Sequence, residues 1–174
     1  MKLNKRRRLE NKTNYRKRLI LLKSNLPRLV VRKTNRYLIV QITESVLAQD
    51  KIICSVNTKE LLKHGWDKKK SGSLKSIAAG YLAGLLIGKK AKGIKKLILD
   101  MGLIPSTKGS RVYAVLKGVS DSGIKIKFNE KIIPAKEKLE GKNISVDFNK
   151  IKGAIKWEEI ILKNQDSQEK TKKN

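Results

Sequence analysis

This 174-residue chain predicts an α/β domain: a mixed sheet of three antiparallel meander strands plus further strand(s), with helices packed on its faces. Three observations lead there. Apolar residues alternate in three short runs between residues 28 and 57, separated by brief polar connections, the pattern of half-buried antiparallel strands. They then switch to helical spacing from Leu74 to Leu85. The next apolar run, Leu97-Ile98-Leu99, is short and bounded, so the preceding helix reads as the crossover of a βαβ-like unit.

Residues 5–23 are expected to form one helix, with Leu9 or Lys12, Tyr15, Leu19 and Leu22 on one side. Ser24, Asn25 and Pro27 end it, because Pro27 biases Leu26 away from the helical region. The strands follow at Arg28–Lys33, Tyr37–Thr43 and Lys51–Asn57, the first two joined at Thr34-Asn35. Alternation sets Leu29 and Val31 opposite Arg28, Val30 and Arg32, while Leu38, Val40 and Ile42 share a face. Asn57 or Thr58 caps a short helix to His64, and residues 65–72 form a loop. Ser73 is expected to cap the long apolar helix carrying Leu74, Ile77, Ala78, Tyr81, Leu82 and Leu85. Gly80, Gly84 and Gly88 recur along one flank of it; each costs about 1 kcal/mol relative to alanine, so a sheet or another backbone must pass close. Then come strand Lys95–Asp100, loop 104–109, and a helix Arg111–Asp121 capped by Ser110 and closed by Gly123. Helical pieces are expected near Ala135–Glu140 and Phe148–Lys163, and a disordered tail beyond, where no apolar residue occurs. The organisation is a basic arm (1–26), an α/β core (27–128), an extension (129–162) and a tail (163–174).

Charge narrows the function. The net charge is +27, against roughly 2–8 units for a small soluble domain. From Met1 to Arg36 there are 14 Lys or Arg and one acid, Glu10, a density that calls for a polyanion, which points to nucleic acid. One cysteine, Cys54, excludes an intrachain disulfide or a cysteine-based zinc site and fits a reducing cytosol. No apolar run approaches the ~20 residues of a membrane span.

Catalysis finds little support. His64 stands alone, and metal-dependent nuclease chemistry needs converging carboxylates where the strand ends offer only Asp100, with Glu44 and Asp50 on a loop elsewhere. Lys108-Gly-Ser-Arg111 lacks the glycine spacing of a P-loop. It offers something else: a glycine and a capped helix start, with free backbone N–H groups flanked by cations, which suits a phosphate. Arg28, Arg32, Lys33, Asn35 and Arg36 on the first hairpin are a second candidate contact, and Lys5, Arg6, Arg7 and Arg8 in the arm a third. With only two Trp, four Tyr and two Phe, the chain lacks the stacking platforms of a single-strand binder and is expected to read phosphates and shape in folded RNA.

Several segments are similar to one family. The run Pro27-Arg-Leu-Val-Val-Arg-Lys-Thr-Asn-Arg-Tyr-Leu-Ile-Val-Gln-Ile42 resembles the signature hairpin of the large-subunit ribosomal protein that binds 5S ribosomal RNA, the universal L-eighteen type. Asn11–Leu19 resembles the arm of its archaeal and eukaryotic branch, as do Gly93–Leu103, Thr107–Val112 and Ile132–Gly141, in family order. The resemblance implies a ribonuclease-H-like topology, no enzymatic activity and no cofactor. It implies RNA contact by Lys12, Thr13, Tyr15, Arg16 and Arg18 in the arm, by Tyr37 in the hairpin, and by Lys108, Ser110 and Arg111. The implied partners are 5S rRNA, large-subunit rRNA and neighbouring large-subunit proteins, including the other 5S-binding protein, within the cytoplasmic large ribosomal subunit. The competing readings are a ribonuclease-H-like RNA-processing enzyme using Asp100 and a basic RNA chaperone without a fixed site.

Overall fold

The computed structural model describes residues 5–46, 49–91, 93–144 and 147–155. Five strands form one sheet in the order β3-β2-β1-β4-β5: β1 Arg28–Lys33, β2 Leu38–Val46, β3 Gln49–Asn57, β4 Lys96–Asp100 and β5 Lys125–Ile126. β1 pairs antiparallel with β2 and β2 with β3, while β1–β4 and β4–β5 are parallel. The mixed sheet and its crossover are therefore as expected, with β2 and β3 longer than the sequence suggested and a bulge between Ile42 and Thr43.

Two helices cover one face of the sheet, α3 Ile77–Lys90 and α4 Arg111–Asp121. Leu29, Val31, Leu38, Val40, Ile42 and Val56 supply the strand side of that core, and Leu82, Ile87, Val112 and Val115 the helix side. The glycines of α3 do meet a passing backbone, but it belongs to α4 and not to the sheet. A Cβ on Gly84 would overlap the Val115 carbonyl oxygen, and one on Gly118 the Tyr81 carbonyl oxygen. Gly80 faces Arg111, Gly84 faces Val115 and Gly88 faces Ser122, so the two helices run parallel with their N-termini side by side. Helix α3 begins three residues later than expected: Leu74 lies before it, and Ser76 accepts the capping bond from the Ala79 N–H.

The single expected arm helix is two, α1 Arg6–Leu9 and α2 Tyr15–Lys23. Asn11 adopts φ +50 between them, and Asn14 caps α2 by accepting from the Lys17 N–H, so local side chains outcompete helix continuation. No residue of either helix is buried; Leu19 and Ile20 remain exposed. Within 65–72, residues from Lys68 onward form a capped 3-10 turn, Lys68–Ser73, rather than open loop. A short helix, α5, spans Lys136–Leu139, and residues 148–155 form α6, whose Ile151 and Ile155 are fully buried. Phe148 packs on Tyr81 with ring centroids 5.8 Å apart, and Lys89 Nζ donates to the Ile155 carbonyl at 2.7 Å, fastening α6 along α3. The expected continuation of that helix to Lys163, the tail to Asn174 and the first four arm residues lie outside the described residues.

Candidate nucleic-acid interface

The parallel pairing of β1 with β4 decides what the hairpin arginines do. Asp100 is the register partner of Val30, so it sits between Arg28 and Arg32 on the same face of the sheet. Arg28 is 3% exposed and donates to Asp100 Oδ2 at 3.1 Å, to Asp50 Oδ1 at 2.6 Å and to Ser45 Oγ at 3.0 Å. Arg32 donates to Asp100 Oδ1 at 3.1 Å and to the Asp100 carbonyl at 2.9 Å. Both were expected as exposed cations on an open strand face. Arg28 is instead an interior ion-pair partner, and Arg32 is half-buried against the Asp100–Gly102 turn, where Asp100 also accepts from the Gly102 N–H at 2.8 Å.

The tip is different. Lys33, Asn35 and Arg36 are exposed, and Thr34 ties the loop to Tyr37 through its N–H and hydroxyl, which hold the Tyr37 carbonyl at 2.9 and 2.8 Å. This leaves Lys33 and Arg36 on a short, hydrogen-bonded turn with no carboxylate engaged among the described residues. Lys108 is likewise exposed, and Arg111 is half-buried at the first position of α4. Ser110 occupies the N-cap position as expected but makes no capping bond through its side chain, and its buried Oγ has no partner among the described residues. The preceding loop is held by a Gly109 N–H bond to the Ile132 carbonyl at 2.9 Å and by a hydroxyl contact between Ser106 and Tyr113. Leu38, which closes the hairpin opposite Lys33, packs beside Gly80 in the first turns of α3, and Gly80 faces Arg111. Hairpin tip, α4 start and α3 start therefore share one end of the domain, with the positive ends of two helix dipoles directed at it.

The arm supplies a second basic segment. Arg8 and Arg16 are exposed and unpaired among the described residues, and with Asn11, Thr13, Asn14 and Tyr15 they line a cleft of about 410 Å³ closed by Leu103. The other arm candidates are partly engaged. Arg6 and Lys12 reach Glu10 at 3.2 and 2.9 Å, Arg7 donates to Thr13 Oγ1 at 2.9 Å, and Lys5 Nζ stands 4.6 Å over the Tyr15 ring. Arg18 bonds Asp50 Oδ2 at 2.9 Å, so the arm is clasped to the start of β3. These Glu10 pairs are solvent-exposed and weakly held, on the order of 0–1 kcal/mol each, so a phosphate displaces them easily.

Comparison with known proteins converges on one family. The family described as ribosomal large subunit proteins 60S L5, and 50S L18, matches residues 1–97 and 89–129. The large ribosomal subunit protein uL18 of Korarchaeum cryptofilum (strain OPF8) is 47% identical over 142 residues, covering 80% of this chain and 71% of its own length. The chain belongs to this ribosomal protein family. A second relative, the uL18 protein of Methanoregula boonei (strain DSM 21154 / JCM 14090 / 6A8), is 41% identical over 152 residues, covering 86% of this chain and 84% of its own. Family membership makes the chain a structural, non-enzymatic constituent of the cytoplasmic large ribosomal subunit, associated with ribosomal RNA. The position of Asp100 agrees: its oxygens accept from two arginines and a backbone N–H.

In this L18-type protein Asp50 is the acid that fastens arm to core. Burial alone raises its pKa, but the Ser45 hydroxyl, the Arg28 bond and charge, and the Arg18 charge outweigh it and hold the carboxyl below its ordinary 3.8. A depressed carboxylate stabilises the fold above its unfolded-state pKa and loses that contribution as pH falls through the folded value. The stability gap between the parent chain and an Asp50→Asn variant is therefore expected to be constant above about pH 5 and to close as the pH falls below 3.8. Urea unfolding at a series of pH values reads this directly; a gap that persisted in acid would dissociate Asp50 from the clasp.

Proposed function

We propose that this protein binds 5S rRNA and helps attach it to the large-subunit rRNA, with the other 5S-binding protein among its neighbours. The observation that carries the reading is the shared basic end: Lys33, Asn35 and Arg36 beside Lys108, Ser110 and Arg111, none of them engaged by a carboxylate among the described residues. Residues 1–26 act as an arm that lays Arg8, Arg16 and Tyr15 along a second stretch of RNA, so that one chain holds two RNA segments. In this reading Arg28 and Arg32 serve the interface indirectly, by fixing β1 against β4 and shaping the turn that leads to α4.

Competition at 150 mM salt tests the assignment: labelled 5S RNA bound to the full chain, challenged with excess transfer RNA. Persistence of the 5S complex supports a shaped site. Equal displacement means that charge alone binds and removes the 5S assignment. Because 6–10 phosphate contacts cost roughly 10³–10⁵ in affinity between 50 and 200 mM salt, the comparison is informative only at fixed ionic strength.

A further inference from the structure

We propose that the turn Lys68–Ser73, together with Lys75, is a further RNA-phosphate contact of this protein, contiguous with the basic end already described. The inference rests on the RNA-binding reading above and extends it to lysines that reading does not use. The turn is built and not merely exposed. Trp66, 2% exposed, anchors it from below and donates its Nε1–H to the Lys70 carbonyl at 3.2 Å. Asp67 caps it, accepting from the Lys69 N–H at 2.9 Å, and the Lys70 N–H closes on the Asp67 carbonyl at 3.0 Å. Ser73 Oγ donates to the same Lys70 carbonyl at 2.6 Å, and Leu74 behind it is fully buried.

The result is a fixed backbone from which Lys68, Lys69 and Lys75 project, all exposed and without an anionic partner among the described residues. The one acid in the turn, Asp67, has an oxygen occupied by the cap. Solvated lysines alone would not need such a scaffold. A turn whose backbone is ordered before binding loses less backbone entropy on contact, which is what a preorganised phosphate site requires.

Position identifies the occupant. The turn leads directly into the N-terminus of α3, and Gly80 of α3 lies against Arg111 of α4, so the lysines stand at the same end as Lys108 and Arg111. A phosphate strand that touches α4 there continues naturally across the start of α3. RNA is thus the favoured partner over an acidic protein segment, which would have no reason to follow the same line of cations.

The test uses the full chain and two probes, 5S RNA and a large-subunit rRNA transcript, which separate the two sources of phosphate. A triple variant, Lys68→Ala, Lys69→Ala and Lys75→Ala, is compared with Lys95→Ala, Lys96→Ala and Lys125→Ala, an equal loss of charge at the start of β4 and β5. The first set is expected to lower the slope of log affinity against log salt by about 2–3 for one of the two RNAs, and the second set by less than about 1. Thermal unfolding confirms that both sets fold. Slopes unchanged for both RNAs, or lowered equally by both sets, overturn the proposal; a protein or solvent then faces the turn. If a companion variant at Arg36, Lys108 and Arg111 still weakens binding, the functional reading survives that failure. If neither it nor the lysine set has any effect, the functional reading itself falls.

Discussion

Arg28→Ala is expected to remove about 3–5 kcal/mol of stability while leaving the salt slope of RNA binding by the folded fraction unchanged. Arg36→Ala, eight residues on in the same hairpin, is expected to do the reverse: stability within ±0.5 kcal/mol and a slope lower by about 1. The contrast follows from the two environments. Arg28 is buried, and its removal strips Asp100, itself only 7% exposed, of one of its two arginines and leaves a cavity beside Ser45 and Asp50. Asp50 retains Arg18 and faces water, so it contributes less to the loss. Arg36 is exposed on the turn and touches no acid among the described residues. Urea unfolding followed by binding isotherms at several salt concentrations separates the two effects. A loss under about 1 kcal/mol for Arg28→Ala, with a shallower slope, returns that residue to the interface.

The same pair of arginines shows how far the sequence alone could be read. Alternation correctly placed Arg28, Val30 and Arg32 on the face opposite Leu29 and Val31, because period two is a property of the strand itself. What it could not supply was the partner strand. The arginines are neutralised by an acid 72 and 68 residues away, brought between them only by the parallel register that pairs Val30 with Asp100. A signal was present: an aspartate closing a buried strand, in a chain predicted to cross over in parallel, needs a cation on its neighbour.

Other differences have the same character. The glycine ladder of α3 announced a close backbone, but its spacing is equally compatible with a sheet and a helix, and the answer lay in Gly118, in a helix the sequence did not pair with it. The arm failed as one helix because Asn11 turns to a left-handed φ and Asn14 offers a capping hydrogen bond, neither of which apolar periodicity registers. Helix α6 is tied to the core by Ile151 and Ile155, whose burial depends on the surface of α3 and not on any motif of their own. The candidates that the fold leaves open to solvent, Lys33, Arg36, Lys108 and in part Arg111, are those set by local turn and helix-start chemistry.

The glycine crossing carries the largest packing consequence. Gly84→Ala is expected to cost at least about 3 kcal/mol, although alanine favours a helix by about 1 kcal/mol in isolation. The new methyl would overlap the Val115 carbonyl oxygen and come within 3.1 Å of the Gly118 Cα. Neither is the end of a flexible side chain, so α3 and α4 must separate. Gly153→Ala is the matched opposite: a Cβ there meets nothing within 4 Å, and α6 is expected to gain about 0.5–1 kcal/mol. Urea unfolding of the two variants should therefore differ in sign. The effect reaches the interface as well, because the glycines hold the starts of α3 and α4 together and with them Lys75 and Arg111. Even the folded fraction of Gly84→Ala is expected to bind 5S RNA more weakly than the parent, with Gly153→Ala unchanged. Full affinity in a folded Gly84→Ala protein would mean that the two helix starts contact RNA independently and need no fixed spacing.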